Sequence, residues 1–388
     1  MDSRSSNLYL DWLVQLTGVP TASGRERLVI AWITDWVQRH NRRGPTIHIE
    51  PDRFGNLILT APDAFPPATP RGGRPPVFIT AHLDHPAFVV TRQRGPRHVE
   101  AHFRGGVHES FFRNTPVTLH SDAVDPQHGR VIGYQQPRPP TLDPLVVIEL
   151  DQPGRAAAAD LATWKLPAPR IKGQLLHAPA CDDLAGVAAA LCAFDATIRL
   201  LARRRGKRRT APDLRLLFTR AEEVGFVGAI AATRTGLIPR KSRLICLENS
   251  RSYAESPLGG GPIVRVGDRT STFDPDLTYA ISAIAQRLAA HDRSFIFQRR
   301  LMPGGTCEAT AFGALGYAST CLCCALGNYH NMNESTGRIA PEFINTRDYL
   351  GLVRLLVETA TTLDEPDQTP PLKARLDHRF RTRRHLLK

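Results

Sequence analysis

Long apolar runs are missing from this chain of 388 residues: no stretch approaches the roughly 18 apolar residues that span a bilayer. No membrane partner is therefore expected. The opening Met1-Asp2-Ser3-Arg4 lacks the basic-then-apolar pattern of a secretory leader, so a cytoplasmic location is the expectation. Cysteine is sparse and odd in number, seven in all, with no pair of Cys-x-x-Cys blocks. That argues against a disulfide framework, and Cys321, Cys323 and Cys324, set in an apolar run, read as buried thiols rather than a metal cluster. Lysine is scarce, so arginine supplies most of the formal charge of +13. The arginines are scattered instead of banded, and no nucleic-acid partner is expected. The one dense run, 375–384, reads as a solvated tail. A weak attraction for acidic substrates remains compatible with the charge.

What is present is an α/β texture. The length favours two domains, or one large domain with an insert. Ser23 and Glu26 have capping-box spacing ahead of an amphipathic helix that carries Leu28, Ile30, Ile33, Trp36 and Val37. Val77-Phe78-Ile79-Thr80-Ala81 is a continuous apolar run suited to a strand buried on both faces. Leu57-Ile58-Leu59, Leu214 to Thr219, Leu244 to Leu247 and 318–323 are further strands, and the Pro/Gly-rich stretch 66–76 is a loop. Leu184, Val187, Ala188, Leu191, Phe194, Ile198 and Leu201 repeat with helical period, and 345–362 is a last helix. Between 89 and 171 the texture shifts to short apolar pieces divided by Pro, Gly and Asp, which predicts an inserted β-rich domain. The fold class expected is α/β: a mostly parallel mixed sheet sandwiched by helices, with residues 1–88 and 172–388 forming one domain around the insert.

Polar residues gather where the apolar strands end, the place where α/β sheets put their chemistry. His82-Leu83-Asp84 closes the first buried strand, and an acid two residues after a histidine can orient a ligating imidazole. Cys181-Asp182-Asp183 precedes the long helix; Asp183 suits an N-cap, and Asp182 has two oxygens with which to bridge two ions. Glu222-Glu223 follows the strand ending at Thr219, where one acid can ligate and its neighbour accept a proton. An acidic first helical turn explains that pair about as well. Glu248 and His330 follow two further apolar runs, and singly each is ordinary. Imidazole and carboxylate are the ligands of hydrolytic zinc.

The order of these patches resembles that of the co-catalytic dinuclear zinc exopeptidases, closest to the glutamyl and tetrahedral aminopeptidases and related to leucyl aminopeptidases and dimeric zinc carboxypeptidases. The stretches that carry it are Ile79-Thr80-Ala81-His82-Leu83-Asp84, Cys181-Asp182-Asp183-Leu184-Ala185-Gly186, Phe218 to Gly225, Gly304-Gly305-Thr306, and the opening Leu16 to Gly24. The resemblance implies two divalent metal ions, zinc foremost and cobalt or manganese as the other candidates. It implies that His82, Asp182 and Glu248 hold one ion, that Asp182, Glu223 and His330 hold the other, that Glu222 is the base, and that Asp84 orients His82. It implies an aminopeptidase that cuts N-terminal residues from a peptide substrate with a metal-bridged water, in a homo-oligomer whose insert is a PDZ-like dimerisation domain. Two departures keep alternatives open. Glu248 stands where the aminopeptidases usually have Asp, and Cys307-Glu308 follows Gly304-Gly305-Thr306. A zinc carboxypeptidase or N-acyl amino-acid deacylase is the enzymatic alternative, and a ligand-binding protein on the same fold the non-enzymatic one.

Overall fold

A computed structural model describes residues 3–67, 74–122, 124–136, 143–203, 213–364 and 372–387. The middle of the expected 66–76 loop lies outside the described residues.

Two helices open the chain, α1 (Ser3–Leu16) and α2 (Arg27–Asn41). Strands β1 (His48–Pro51), β2 (Leu57–Thr60) and β3 (Val77–His82) follow, and β3 is buried at every position, as its unbroken apolar sequence demands. Six strands come next: β4 (Ala87–Arg94), β5 (His98–Arg104), β6 (Pro116–His120), β7 (Gln127–Gln135), β8 (Leu145–Leu150) and β9 (Leu161–Trp164). They close into a barrel in the order β4-β5-β8-β7-β6-β9, leaving no open edge. Its interior holds an aromatic cluster in which Phe88 meets Phe103 and Trp164 edge-on, with ring centroids 4.9 and 4.7 Å apart.

The chain then returns through β10 (Arg170–Lys172) and β11 (Leu175–Ala178) to α3 (Leu184–Arg203), β12 (Leu214–Thr219), α4 (Val227–Arg234), β13 (Arg243–Arg251), β14 (Ile263–Gly267), α5 (Pro275–His291), β15 (Gln298–Leu301), α6 (Glu308–Ala314), β16 (Ala318–Gly327), β17 (Met332–Asn333), β18 (Arg338–Ile339), β19 (Glu342–Asn345), α7 (Thr346–Thr362) and α8 (Leu372–Arg383). The main sheet runs β1-β2-β12-β3-β13-β16-β19-β11-β10, with β14 and β15 branching from β16. Its centre, β12-β3-β13-β16, is parallel. Its flanks are not: β2 meets β12, and β19 meets β16 and β11, antiparallel. The sheet is therefore mixed, parallel through the four central strands and between β14 and β15, and antiparallel elsewhere.

Two readings need correction. Ser23 and Glu26 form no capping box; the Ser23 hydroxyl donates to Asp84, and Glu26 stands at the start of α2 without a side-chain cap bond. The buried carboxylate of Asp84 is the stronger draw for that hydroxyl. Helix α3 is long and apolar enough, by composition, to cross a bilayer, contrary to the expectation that no stretch is. It is nonetheless a core helix, covered by α1, α7 and the sheet, with nearly every side chain through Ile198 buried. The arginine-rich 375–384 stretch is exposed, in keeping with a solvated tail, and is helical through Arg383 in α8.

Phe194 of α3 is fully buried and packs on Phe65 with ring centroids 4.9 Å apart. Phe194→Ala is expected to lower stability by about 3–5 kcal/mol, measured by chemical denaturation.

Candidate metal centre

Parallel strands point their carboxyl ends the same way, so β3, β12, β13 and β16 deliver their last polar residues to one rim of the sheet. His82 is the final residue of β3. Glu222 and Glu223 lie in the turn after β12, four or more residues ahead of α4, so they are not its first helical turn. Glu248 sits inside β13, which runs on to Arg251, further than its apolar segment suggested. His330 follows β16. Asp182 comes from the loop between β11 and α3.

The structure brings together ligating atoms of all six. Those of His82, Asp182 and Glu248 lie within 4.8 Å of one another, as do those of Asp182, Glu223 and His330, and those of His82, Glu222 and Glu223. Asp182 is common to the first two groups. Its Oδ1 is 3.6 Å from His82 Nε2 and its Oδ2 3.8 Å from His330 Nε2, so its two oxygens face different imidazoles. Glu223 Oε1 lies 3.2 Å from His330 Nε2. His82, Asp182, Glu222, Glu248 and His330 are all at most 8% exposed. Among the described residues, Asp182 Oδ1 and Glu223 Oε1 are buried acceptors without a hydrogen-bond donor. Buried acceptors without donors are costly, and a divalent cation would satisfy both. The donor set, nitrogen and carboxylate oxygen, fits zinc and its neighbours.

The electrostatics agree. Burial raises the Glu222 carboxyl well above its usual range, against the pull of His82 and with Glu223 adding to the rise. Burial and Asp182 do the same to Glu248. Burial disfavours a charged His330, but Glu223 and Asp182 outweigh it and push that imidazole up to about 9. His82 is likewise held well above the usual histidine value, burial being overcome by Glu222, Asp182 and Asp84.

Each ligand loop is held from behind by a buried carboxylate that accepts backbone N–H groups. Asp84 accepts from Glu222 N and Glu223 N at 3.0 and 3.1 Å, and from the Ser23 hydroxyl at 2.6 Å. These are shorter than its 3.6 Å approach to His82 Nδ1, which lies 3.1 Å from Asp84's own carbonyl oxygen. Glu26 accepts from Ala221 N at 3.1 Å and from Arg220 Nε at 2.7 Å, which braces Ala221 at a φ of 52° just before the acidic pair. Glu342 accepts from Cys181 N, Asp182 N and His330 N. The Asp183 side chain accepts from Asn249 at 2.8 Å and lies over Gly186, where any Cβ would come within 2.3 Å of it; the peptide joining it to Asp182 is cis. His330 Nδ1 lies 2.7 Å from the Gly106 carbonyl, just past β5 of the barrel, so Nδ1–H donates there and Nε2 is left to ligate. Glu26, Glu342, Gly106 and the buried Glu308, whose carboxyl burial raises to about 7, were not legible as site residues from the sequence. The one available signal for Glu342 is an acid at the head of an otherwise apolar strand.

A cleft of about 470 Å³ opens over these groups, lined by Asp182, Glu222, Glu223, Glu248 and His330 on one side and by Gly106 to His108 of the barrel on another. Residues 155–339 match the family model of the M42 glutamyl aminopeptidases. The match supports a metal-dependent aminopeptidase. Solved structures with the same fold include the TET1 peptidase of Pyrococcus horikoshii, 18% identical with a TM-score of 0.69, the match covering 91% of this chain and 99% of that one. The aminopeptidase APDkam598 from the archaeon Desulfurococcus kamchatkensis is 18% identical with a TM-score of 0.70, covering 93% and 95%. An M18-family aminopeptidase from Thermotoga maritima is 12% identical with a TM-score of 0.62, covering 93% and 97%. No curated protein sequence matches the chain at a significant level. The match favours the aminopeptidase reading over the carboxypeptidase and deacylase alternatives that Glu248 had kept open.

A protonated His330 cannot ligate, so metal uptake by the aminopeptidase must expel a proton below about pH 9. Metal affinity is expected to rise with pH towards that value, and calorimetry in buffers of different ionisation enthalpy should register proton release at pH 7.

Proposed function

We propose that this metal-dependent aminopeptidase works with two ions, zinc by preference, one held by His82, Asp182 and Glu248 and the other by Asp182, Glu223 and His330. The observation that carries the reading is the pair of ligand groups sharing Asp182, with two buried oxygens left without donors. The ions would supply Lewis acidity towards the scissile carbonyl and would lower the pKa of water. Glu222 is the general base. Its carboxyl is buried at the floor of the cleft, 3.9 Å from His82 Nε2, and is raised by burial towards the range in which a carboxylate both takes and returns a proton. It accepts a proton from the attacking water and delivers it to the nitrogen of the leaving peptide. Asp84 positions the pair by holding Glu222 N and Glu223 N, and its carboxylate lies beside His82.

The substrate we favour is a peptide with an acidic N-terminal residue. Arg251 and Arg269 line the cleft, and Arg265 is buried in a small recess behind Glu248, where it donates to Ser250 and leaves Nε without a partner. This agrees with the glutamyl preference in the family's name. We further propose that 89–171 acts as a self-association domain in a cytoplasmic homo-oligomer. The closed barrel supports that role, and related TET structures are described as a dodecamer and as tetrahedral or octahedral shells.

Glu222→Gln should keep metal content and slow turnover by ~100- to 10,000-fold. Glu223→Gln should lose metal and recover partly when metal is added. Rescue of the first variant and not the second, by elemental analysis and steady-state assay, would reverse the two roles. In a panel of amino-acid anilides, the glutamyl compound should give the highest kcat/KM, with the leucyl and lysyl compounds lower; equal values would remove the acidic-substrate reading.

A further inference from the structure

Two loops that carry proposed ligands, 179–182 and 328–331, come from separate parts of the chain and are joined by few groups. Glu342 is the most central of these. It is the first residue of β19, set opposite Ala178 in the antiparallel pairing with β11, so its side chain lies beside the loop that follows Ala178. The carboxylate is fully buried. Oε2 accepts from Cys181 N at 2.7 Å and Asp182 N at 3.0 Å, and Oε1 accepts from His330 N at 2.8 Å. One rigid, planar group thus fixes the backbone of both loops.

The loop it grips needs holding. Asn328, His330 and Asn331 have φ of 53°, 54° and 64°, a region in which non-glycine residues are disfavoured. Left to itself such a segment relaxes to other conformations. Two further side chains tie the same pair of loops: Asn331 Nδ2 donates to Pro179 O at 2.8 Å, and His85 spans from Asp182 O to Asn331 Oδ1. Among the described residues, Glu342 alone accepts hydrogen bonds from the backbone N–H groups of both Asp182 and His330.

We propose that Glu342 is a positioning residue that sets the spacing between Asp182 and His330 and thereby the affinity of the ion site they share with Glu223. This rests on the two-ion reading above. The site of His82, Asp182 and Glu248 has two ligands outside the clamp, so it is expected to be less affected. Loss of a group that orients a metal ligand typically lowers affinity by 10- to 100-fold.

The test is titration of the metal-free protein with Zn²⁺ by calorimetry, on the wild type, Glu342→Gln and Asn331→Ala, with the apo Tm of each recorded. Wild type taking up about two ions per chain sets the baseline, and fewer than two would reject the two-ion reading itself. Given that baseline, Glu342→Gln should keep one tight site and weaken the other by about 10- to 100-fold, with kcat recovering as Zn²⁺ is raised. Asn331→Ala, which cuts a lesser tie between the same loops, should weaken the same site by a smaller factor, and it decides the matter if Glu342→Gln does not fold. Two unchanged affinities in a folded variant, or an equal loss at both sites accompanying a fall in apo Tm, would overturn the proposal and leave Glu342 a general structural acid.

Discussion

Mutual repulsion among buried carboxylates is the constraint around which the catalytic half of this molecule is arranged. Asp182, Glu222, Glu223 and Glu248 converge at the rim of β3, β12 and β13, most of them almost without solvent, and burial lifts Glu222 and Glu248 far from their ordinary values. Such a group is tolerable only if the surrounding structure is stiff enough to hold it and if positive charge is supplied. The two imidazoles supply part. Protons on the raised carboxyls or divalent cations can supply the rest, and the converging nitrogen and carboxylate donors suit the cations.

The stiffness comes from a device used at each ligand loop. Asp84, Glu26 and Glu342 are carboxylates that accept backbone N–H groups of the loops presenting the proposed ligands, with the Ser23 hydroxyl and the Arg220 side chain completing the first two. Charge-assisted bonds of this kind are short and directional. They convert irregular backbone, including left-handed Ala221 and His330, into fixed geometry. Asp182 and Glu223 thus face the cleft with an oxygen free, whereas Asp84, Glu26 and Glu342 have every carboxylate oxygen engaged.

That division explains how far the sequence could be read. The proposed ligands were legible because each stands where an apolar strand or helix breaks off, as His82 does after Val77 to Ala81 and Asp182 before Leu184. Central strands and α3 announced themselves by uninterrupted hydrophobicity. The clamps did not. Glu26 looked like a helix cap because its three-residue spacing from Ser23 fits one, and only the fold reveals that Asp84 claims the serine while Glu26 reaches Ala221 across 195 positions of sequence. Glu342 pairs with backbone groups 161 and 12 residues away, and backbone amides carry no sequence signature. The antiparallel flanks of the sheet escaped notice for a related reason: strand direction depends on connections, and the short strands β10, β11 and β19 are too brief to show period.

The carbonyl of Gly106 belongs to the edge of the barrel, yet it fixes which nitrogen of His330 carries hydrogen. A shift of the barrel by a fraction of an ångström would lengthen that bond and change the basicity of an imidazole deep in the other unit. The proton that His330 carries on Nδ1 is thus held by a residue outside the strands that present the other polar groups.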